Sequence, residues 1–239
     1  MAYFDTHIHL QDFDNADIID LLKTGKISKC ICVSAKQEDW EKVALLYEKY
    51  TDIVVPAFGL HPWYVDIKSK TWITELEKYL IKYPSAMVGE CGFDRLKNPV
   101  FEEQKEVFLS QIDLAKKYNR TLLIHAVKAD VWMENVWQIL PKRFVFHSFN
   151  AHIEQLNRII SHNGYVSFNI KIFNNKQSNE ILLKTPVEKM LVETDAPYQS
   201  DVTDLEMLVK KIAVIRNEKL EDLILSLYDN AMELYKNEK

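Results

Sequence analysis

The stretch YFDTHIHL, Tyr3 to Leu10, begins as an apolar run and ends in two imidazoles. Tyr, Phe and Ile favour strands, and strand side chains alternate faces with a period of two. On a strand, Asp5, His7 and His9 therefore point the same way. The turn that follows, THIHLQDFD, holds no glycine. An open doubly wound sheet usually places a Gly-rich turn after its first strand. The imidazoles found there instead read either as a polar strand end near solvent or as a metal-binding H-x-H pair.

Further β-rich runs recur downstream. They are CICVS (30–34), DIVVPAFG (52–59), AMVGEC (86–91), TLLIHA (121–126), RFVFHS (143–148), GYVSFN (164–169) and KMLVET (189–194). With AYFDTH (2–7) they make eight. Helical periodicity lies between them. EDWEKVALLYEKY places Trp40, Val43, Ala44 and Tyr47 on one face, and FEEQKEVFLSQIDLAKKY does the same with Phe101, Phe108, Ile112 and Ala115. LEDLILSLYDNAMELY turns Leu220, Leu223, Leu227 and Met232 inward. Strands alternating with helices predict a parallel α/β fold, and an eight-stranded (β/α) barrel of the TIM type needs about 250 residues. The chain has 239 residues, five glycines and no Gly/Ser or Pro-rich linker. It reads as one barrel domain over residues 1–239.

Composition narrows the function. The chain is 47% hydrophobic and 27% charged, an ordinary globular balance. No apolar run reaches membrane-spanning length, and no basic segment precedes an apolar stretch as in a secretory signal. Cys30 and Cys32 share a face of SKCICVS and read as buried structural thiols. These features fit the cytoplasm. A net charge of −5 lacks the strongly basic face of a duplex-gripping protein. It leaves room for a phosphate substrate, since metal cations can supply local positive charge.

Functional groups of a (β/α) barrel cluster at the C-terminal ends of its strands. There stand His7 and His9, His61 in GLHPW, Glu90 and Asp94 in GECGFD, then His125, His147 and Asp195 in ETDAPY. Five of the seven histidines fall at such ends, while His152 and His162 read as surface residues. Converging imidazoles and carboxylates suit Zn²⁺, Mn²⁺ or similar ions, and carboxylates so close would repel without a cation between them. Four histidines and two carboxylates exceed what one catalytic zinc uses. They suit two ions about 3.5–4 Å apart with one carboxylate bridging.

In order and spacing, FDTHIHL, FGLHPW, VGECGFDR, LLIHA, VFHSF and LVETDAPY resemble the TatD-type metal-dependent deoxyribonucleases of the amidohydrolase superfamily. The likeness spans nearly the whole chain. It implies a barrel hydrolase with two divalent ions (Zn, Mn or Mg). His7, His9 and Asp195 would hold one ion, His125 and His147 the second, and Glu90 would bridge them. His61 would contact a substrate phosphate, Asp94 would support the site or face the substrate, and Asp5 would orient a ligating ring. Asp195 and Glu90 would carry catalysis. The expected substrate is DNA or another phosphodiester, cut near the end of a single strand. Trp63 and Tyr64 would stack on a base or pack on the next helix. Neither a membrane nor an obligate protein partner is implied. The same centre acting on another ester, a lactone or an amide is the near alternative, and a non-catalytic metal-binding protein the remote one. Some positions depart from the family. Val127 and Lys128 stand where an Arg is common two residues after the strand-five His. Asn150–Ala151 replaces Ser-Gly, and QSDVTDLEMLV replaces the usual segment after Asp-Ala-Pro. Arg216–Asn217–Glu218 reads as unrelated to that segment.

Overall fold

The structure is a computed structural model and describes residues 2–13, 18–97 and 100–235. Its elements alternate: β1 (Tyr3–Ile8), α1 (Ile18–Thr24), β2 (Ile27–Val33), α2 (Gln37–Lys49), β3 (Val54–Phe58), α3 (Trp72–Lys82), β4 (Met87–Asp94), α4 (Phe101–Lys117), β5 (Leu122–Val127), α5 (Asp130–Met133), β6 (Phe144–Phe146), α6 (Ile153–Ser161), β7 (Tyr165–Phe168), α7 (Ser178–Lys184) and β8 (Met190–Val192), then α8 (Asp204–Arg216) and α9 (Leu220–Glu233). The strands are parallel and ordered β1 to β8. Two apolar layers result. Phe4, Ile31, Val55, Leu123, Val145 and Leu191 fill the inside, with Leu234 beyond α9 against them. The helices cover the outside through a second, larger cluster that includes Trp40, Phe58, Phe108 and Phe168.

The last seam, between β1 and β8, is closed by the residues that follow β8. Asp195 N–H donates to the His7 carbonyl at 2.8 Å, and His9 N–H to the Ala196 carbonyl at 2.9 Å. Asp5 acts as a strap beside them. Its carboxylate accepts Thr194 N–H (3.0 Å), Thr194 Oγ1–H (2.6 Å) and His7 N–H (3.1 Å). Complete burial pushes Asp5 up to about 7, against these bonds, which favour its charged form. The expectation that Asp5 orients a ligating ring is therefore corrected. Register irregularities on either side of Asp5 break the simple alternation, and it bonds two backbone N–H groups and the Thr194 hydroxyl rather than an imidazole.

β6 and β8 end earlier than their sequence runs. His147 N–H still donates to the Ile124 carbonyl (3.1 Å), but Ser148 turns to a φ of 47°. Asp195 likewise takes a φ of 55°, a left-handed conformation that Asp tolerates better than most residues. The chain thus leaves the ladder just after His147 on β6 and at Asp195 after β8, beside or at the residue whose side chain enters the site. On β4, Gly89 (φ 152°) and Gly92 (φ 136°) flank Glu90; a Cβ on either would collide with β5. Glycine thus lets β4 lie close enough to its neighbour for Glu90 to reach the barrel axis.

Helix α4 secures two of the site loops through buried amides. Gln104 accepts from Asp94 N–H (2.9 Å) and donates to its carbonyl (3.0 Å). Gln111 accepts from Leu60 N–H (2.8 Å) and donates to its carbonyl (3.1 Å). Gln111→Leu keeps the shape and orphans both Leu60 groups, so a cost of about 2–4 kcal/mol is expected. Urea unfolding of the metal-free protein checks this; a loss below about 0.5 kcal/mol would mean that the loop finds other partners.

Candidate metal centre

The eight strand-end candidates meet at one end of the barrel. Glu90 lies at the middle, 4% exposed. Its two oxygens face different sets of rings. Oε2 is 3.3 Å from His7 Nε2 and 3.9 Å from His9 Nε2. Oε1 is 2.8 Å from His125 Nδ1, 2.6 Å from His147 Nε2 and 3.4 Å from His61 Nε2. Asp195 Oδ1 completes the first side, 3.3 Å from His9 Nε2. Burial opposes the charge of Glu90, but the neighbouring imidazoles outweigh it and hold the carboxyl well below its usual range.

Most rings are oriented by a partner on the nitrogen turned away from this centre. His9 Nδ1 lies 2.8 Å from the Val33 carbonyl, so it carries the proton and Nε2 presents a lone pair. His125 Nε2 lies 3.2 Å from Asp94 Oδ2, leaving Nδ1 towards Glu90. His147 Nδ1 faces Glu193 Oε1 at 3.4 Å, leaving Nε2. His61 Nδ1 accepts Trp63 N–H at 3.1 Å, so its Nε2 bears the hydrogen and points inward. Burial drives His61 down to about 4, which keeps it a neutral donor near pH 7. Burial would raise Asp94, but bonds from His125 and from Trp63 Nε1 (2.6 Å) hold it at about 2.

His7 supplies the test of whether ions fit. It is fully buried and stacks on His147 at 4.1 Å, yet neither of its ring nitrogens has a hydrogen-bond partner among the described residues. Buried polar nitrogens are rarely left so. Three groups of potential ligand atoms gather within 4.8 Å: His7, His9 and Asp195; His61, Glu90 and His125; and His7, His147 and Glu193. Imidazole with carboxylate is the donor set of Zn²⁺ and Mn²⁺ sites. These residues fit divalent metal.

A cavity of about 370 Å³ opens over the centre, within the size range of small-ligand sites. His9, His61, Glu90, His125, His147 and Asp195 form its floor, and Trp63, Tyr64, Lys171, Tyr198 and Gln199 belong to its lining. Asp94 is absent from that lining and stands behind His125, with its Oδ2 3.2 Å from His125 Nε2. Trp63 is 42% exposed, and its indole N–H donates to Asp94 Oδ2 at 2.6 Å. Tyr64 is half-buried against the core. Lys128 is exposed outside the cavity. Arg216, the last residue of α8, binds Glu218 (2.9 Å) and the Thr185 carbonyl (2.8 Å), apart from the site. His152 is exposed and His162 half-buried, both away from the centre. Sequence reasoning missed Glu193, whose position two residues before Asp195 was the available signal, and Lys171, in a loop with none.

The comparisons with known proteins agree with this architecture. The family described as TatD related DNase matches residues 4–236. An uncharacterized metal-dependent hydrolase of Bacillus subtilis, YabD, is 28% identical over 98% of both chains. The deoxyribonuclease Tat-D of Schizosaccharomyces pombe is 29% identical over 80% of this chain and 65% of its own. The crystal structure of YJJV, a TatD homolog from Escherichia coli, superposes with a TM-score of 0.90 over 99% of this chain and 98% of that one, at 24% identity. With a fold of eight parallel strands, a buried cluster able to hold metal and a family match over almost its full length, the chain belongs to the TatD family of metal-dependent hydrolases.

Proposed function

We propose that the protein is a two-metal phosphodiesterase acting on the ends of single-stranded DNA. The observation that carries this reading is the division of Glu90: one oxygen faces the β1 histidines and the other faces His125 and His147. His7, His9 and Asp195 would hold one ion, His125 and His147 the other, with Glu90 shared. Bound there, divalent ions lower the pKa of water towards about 7 and neutralise charge developing on the phosphoryl oxygens.

The chain's own groups supply the rest. His61 donates from Nε2 to a non-bridging phosphate oxygen, and its neutral state follows from burial. Asp195 stays ionised because the His9, His7 and His147 rings offset the effect of burial. Its carboxylate accepts the nucleophile's proton and delivers it to the leaving oxygen. Trp63 presents an exposed indole at the rim, suited to stacking on an unpaired base. Such a base is available at a strand end and withheld in intact duplex. Two relatives are named deoxyribonucleases, the fission yeast protein above and human TATDN3, and those names favour a DNA substrate.

Three outcomes test the reading. Asp195→Asn keeps the size and an oxygen but loses the basic site, so kcat should fall about 10²–10⁴-fold on bis(4-nitrophenyl) phosphate. Near-full activity at saturating Mn²⁺ would remove Asp195 from proton transfer. Glu90→Gln should lower bound metal itself, read by elemental analysis; unchanged occupancy would contradict the shared carboxylate. On nucleic acid, shortening of single strands from an end should far exceed nicking of closed circular duplex. Efficient nicking of that duplex would overturn the substrate assignment.

A further inference from the structure

The floor of the cavity is rich in carboxylate and imidazole, and its wall holds one Lys or Arg side chain among the described residues, Lys171. The backbone that carries it is fixed. Lys171 N–H donates to Asn169 Oδ1 at 3.0 Å, and Asn169 Nδ2 donates to Ser148 Oγ at 2.9 Å, just after His147. Asn169 is itself buried, so the turn over residues 170–174 is anchored to the β6 end of the site. No ion pair engages the ammonium of Lys171 among the described residues. Two lysines close to the aromatic lining lie over its ring faces: Lys97 4.3 Å from the Trp63 ring and Lys36 5.8 Å from that of Tyr64.

Position around the barrel gives this cation a meaning. Trp63 and Tyr64 follow β3, whereas Lys171 follows β7, four strands away in an eight-strand order. Aromatic wall and cation therefore face one another across Glu90. A ligand whose reacting phosphate sits over Glu90 and whose base leans on Trp63 extends its remaining part towards Lys171. In a nucleic acid strand that part carries the next phosphate. An ammonium on a half-buried wall suits a phosphate oxygen, since it pairs as a point charge and needs no fixed fork geometry.

We infer that Lys171 binds a second phosphate, adjacent to the scissile one, and so selects strands over isolated phosphodiesters. This rests on the phosphodiesterase reading above and assigns a substrate contact that it lacks. The consequence is a preference for ligands bearing two phosphates on one sugar.

The test titrates thymidine 3′,5′-bisphosphate and thymidine 5′-monophosphate into the Mn²⁺-loaded protein by calorimetry. The wild type should bind the bisphosphate about tenfold more tightly than the monophosphate, as expected for one charge-assisted contact. Lys171→Met should bring that ratio close to one, and Lys171→Arg, which keeps the charge, should preserve it. An unchanged ratio in Lys171→Met, or no preference in the wild type, overturns the inference. Hydrolysis of bis(4-nitrophenyl) phosphate by the wild type separates the two claims. A lysine-dependent preference without hydrolysis leaves this contact standing and refutes the phosphodiesterase; hydrolysis without the preference does the reverse.

Discussion

A carboxylate buried on the barrel axis has to be neutralised, and much of the site can be read as the answer to that requirement. Glu90 is almost wholly inaccessible, and a buried charge is costly unless paired. Imidazoles from the ends of β1, β3, β5 and β6 surround it within 4 Å. Only a closed parallel barrel brings the ends of strands so distant in sequence around one point. The fold meets the demand at a price in backbone freedom. Glycines flank Glu90, Asp195 adopts a left-handed conformation, and the β1–β8 seam is stitched by the peptide groups of His7, His9 and Asp195. Closure of the barrel and assembly of the centre are thus the same set of contacts.

Around that centre, a second set of groups fixes which ring nitrogen faces inward. A carbonyl serves His9, Asp94 serves His125, Glu193 faces His147 and a backbone N–H serves His61. His7 alone has both ring nitrogens without such a partner among the described residues, and it lies between Glu90 and His147. The arrangement keeps three rings ready to donate lone pairs and one ready to donate hydrogen. The rings that turn a lone pair inward and the one that turns a hydrogen inward are therefore distinguished by their environments rather than by residue type.

Much of this was legible in the amino-acid sequence, for physical reasons. Eight apolar runs with helices between them dictate alternation, and polar residues placed at the ends of such runs stand out against the expected pattern. What was not legible depends on contacts across the chain. Asp5 shares the spacing of His7 and His9, yet register shifts turn it to Thr194, 189 positions away. Gln104 and Gln111 look like ordinary polar positions on an amphipathic helix, and only the packed structure shows each clamping a peptide group. Lys171 sits in a turn without periodicity, and its place on the cavity wall follows from the curvature of the whole barrel. Short-range pattern carries the strand ends, while the support of those ends is a property of closure.

The central claim is that Glu90 is shared between two ions, one on each of its oxygens. Anomalous diffraction from Mn²⁺-loaded crystals, recorded on both sides of the manganese edge, tests it most directly. The account predicts two peaks flanking the Glu90 carboxylate, about 3.5–4 Å apart, one towards His7, His9 and Asp195 and the other towards His125 and His147. A single peak, or peaks that leave Glu90 bound to imidazole alone, would contradict it.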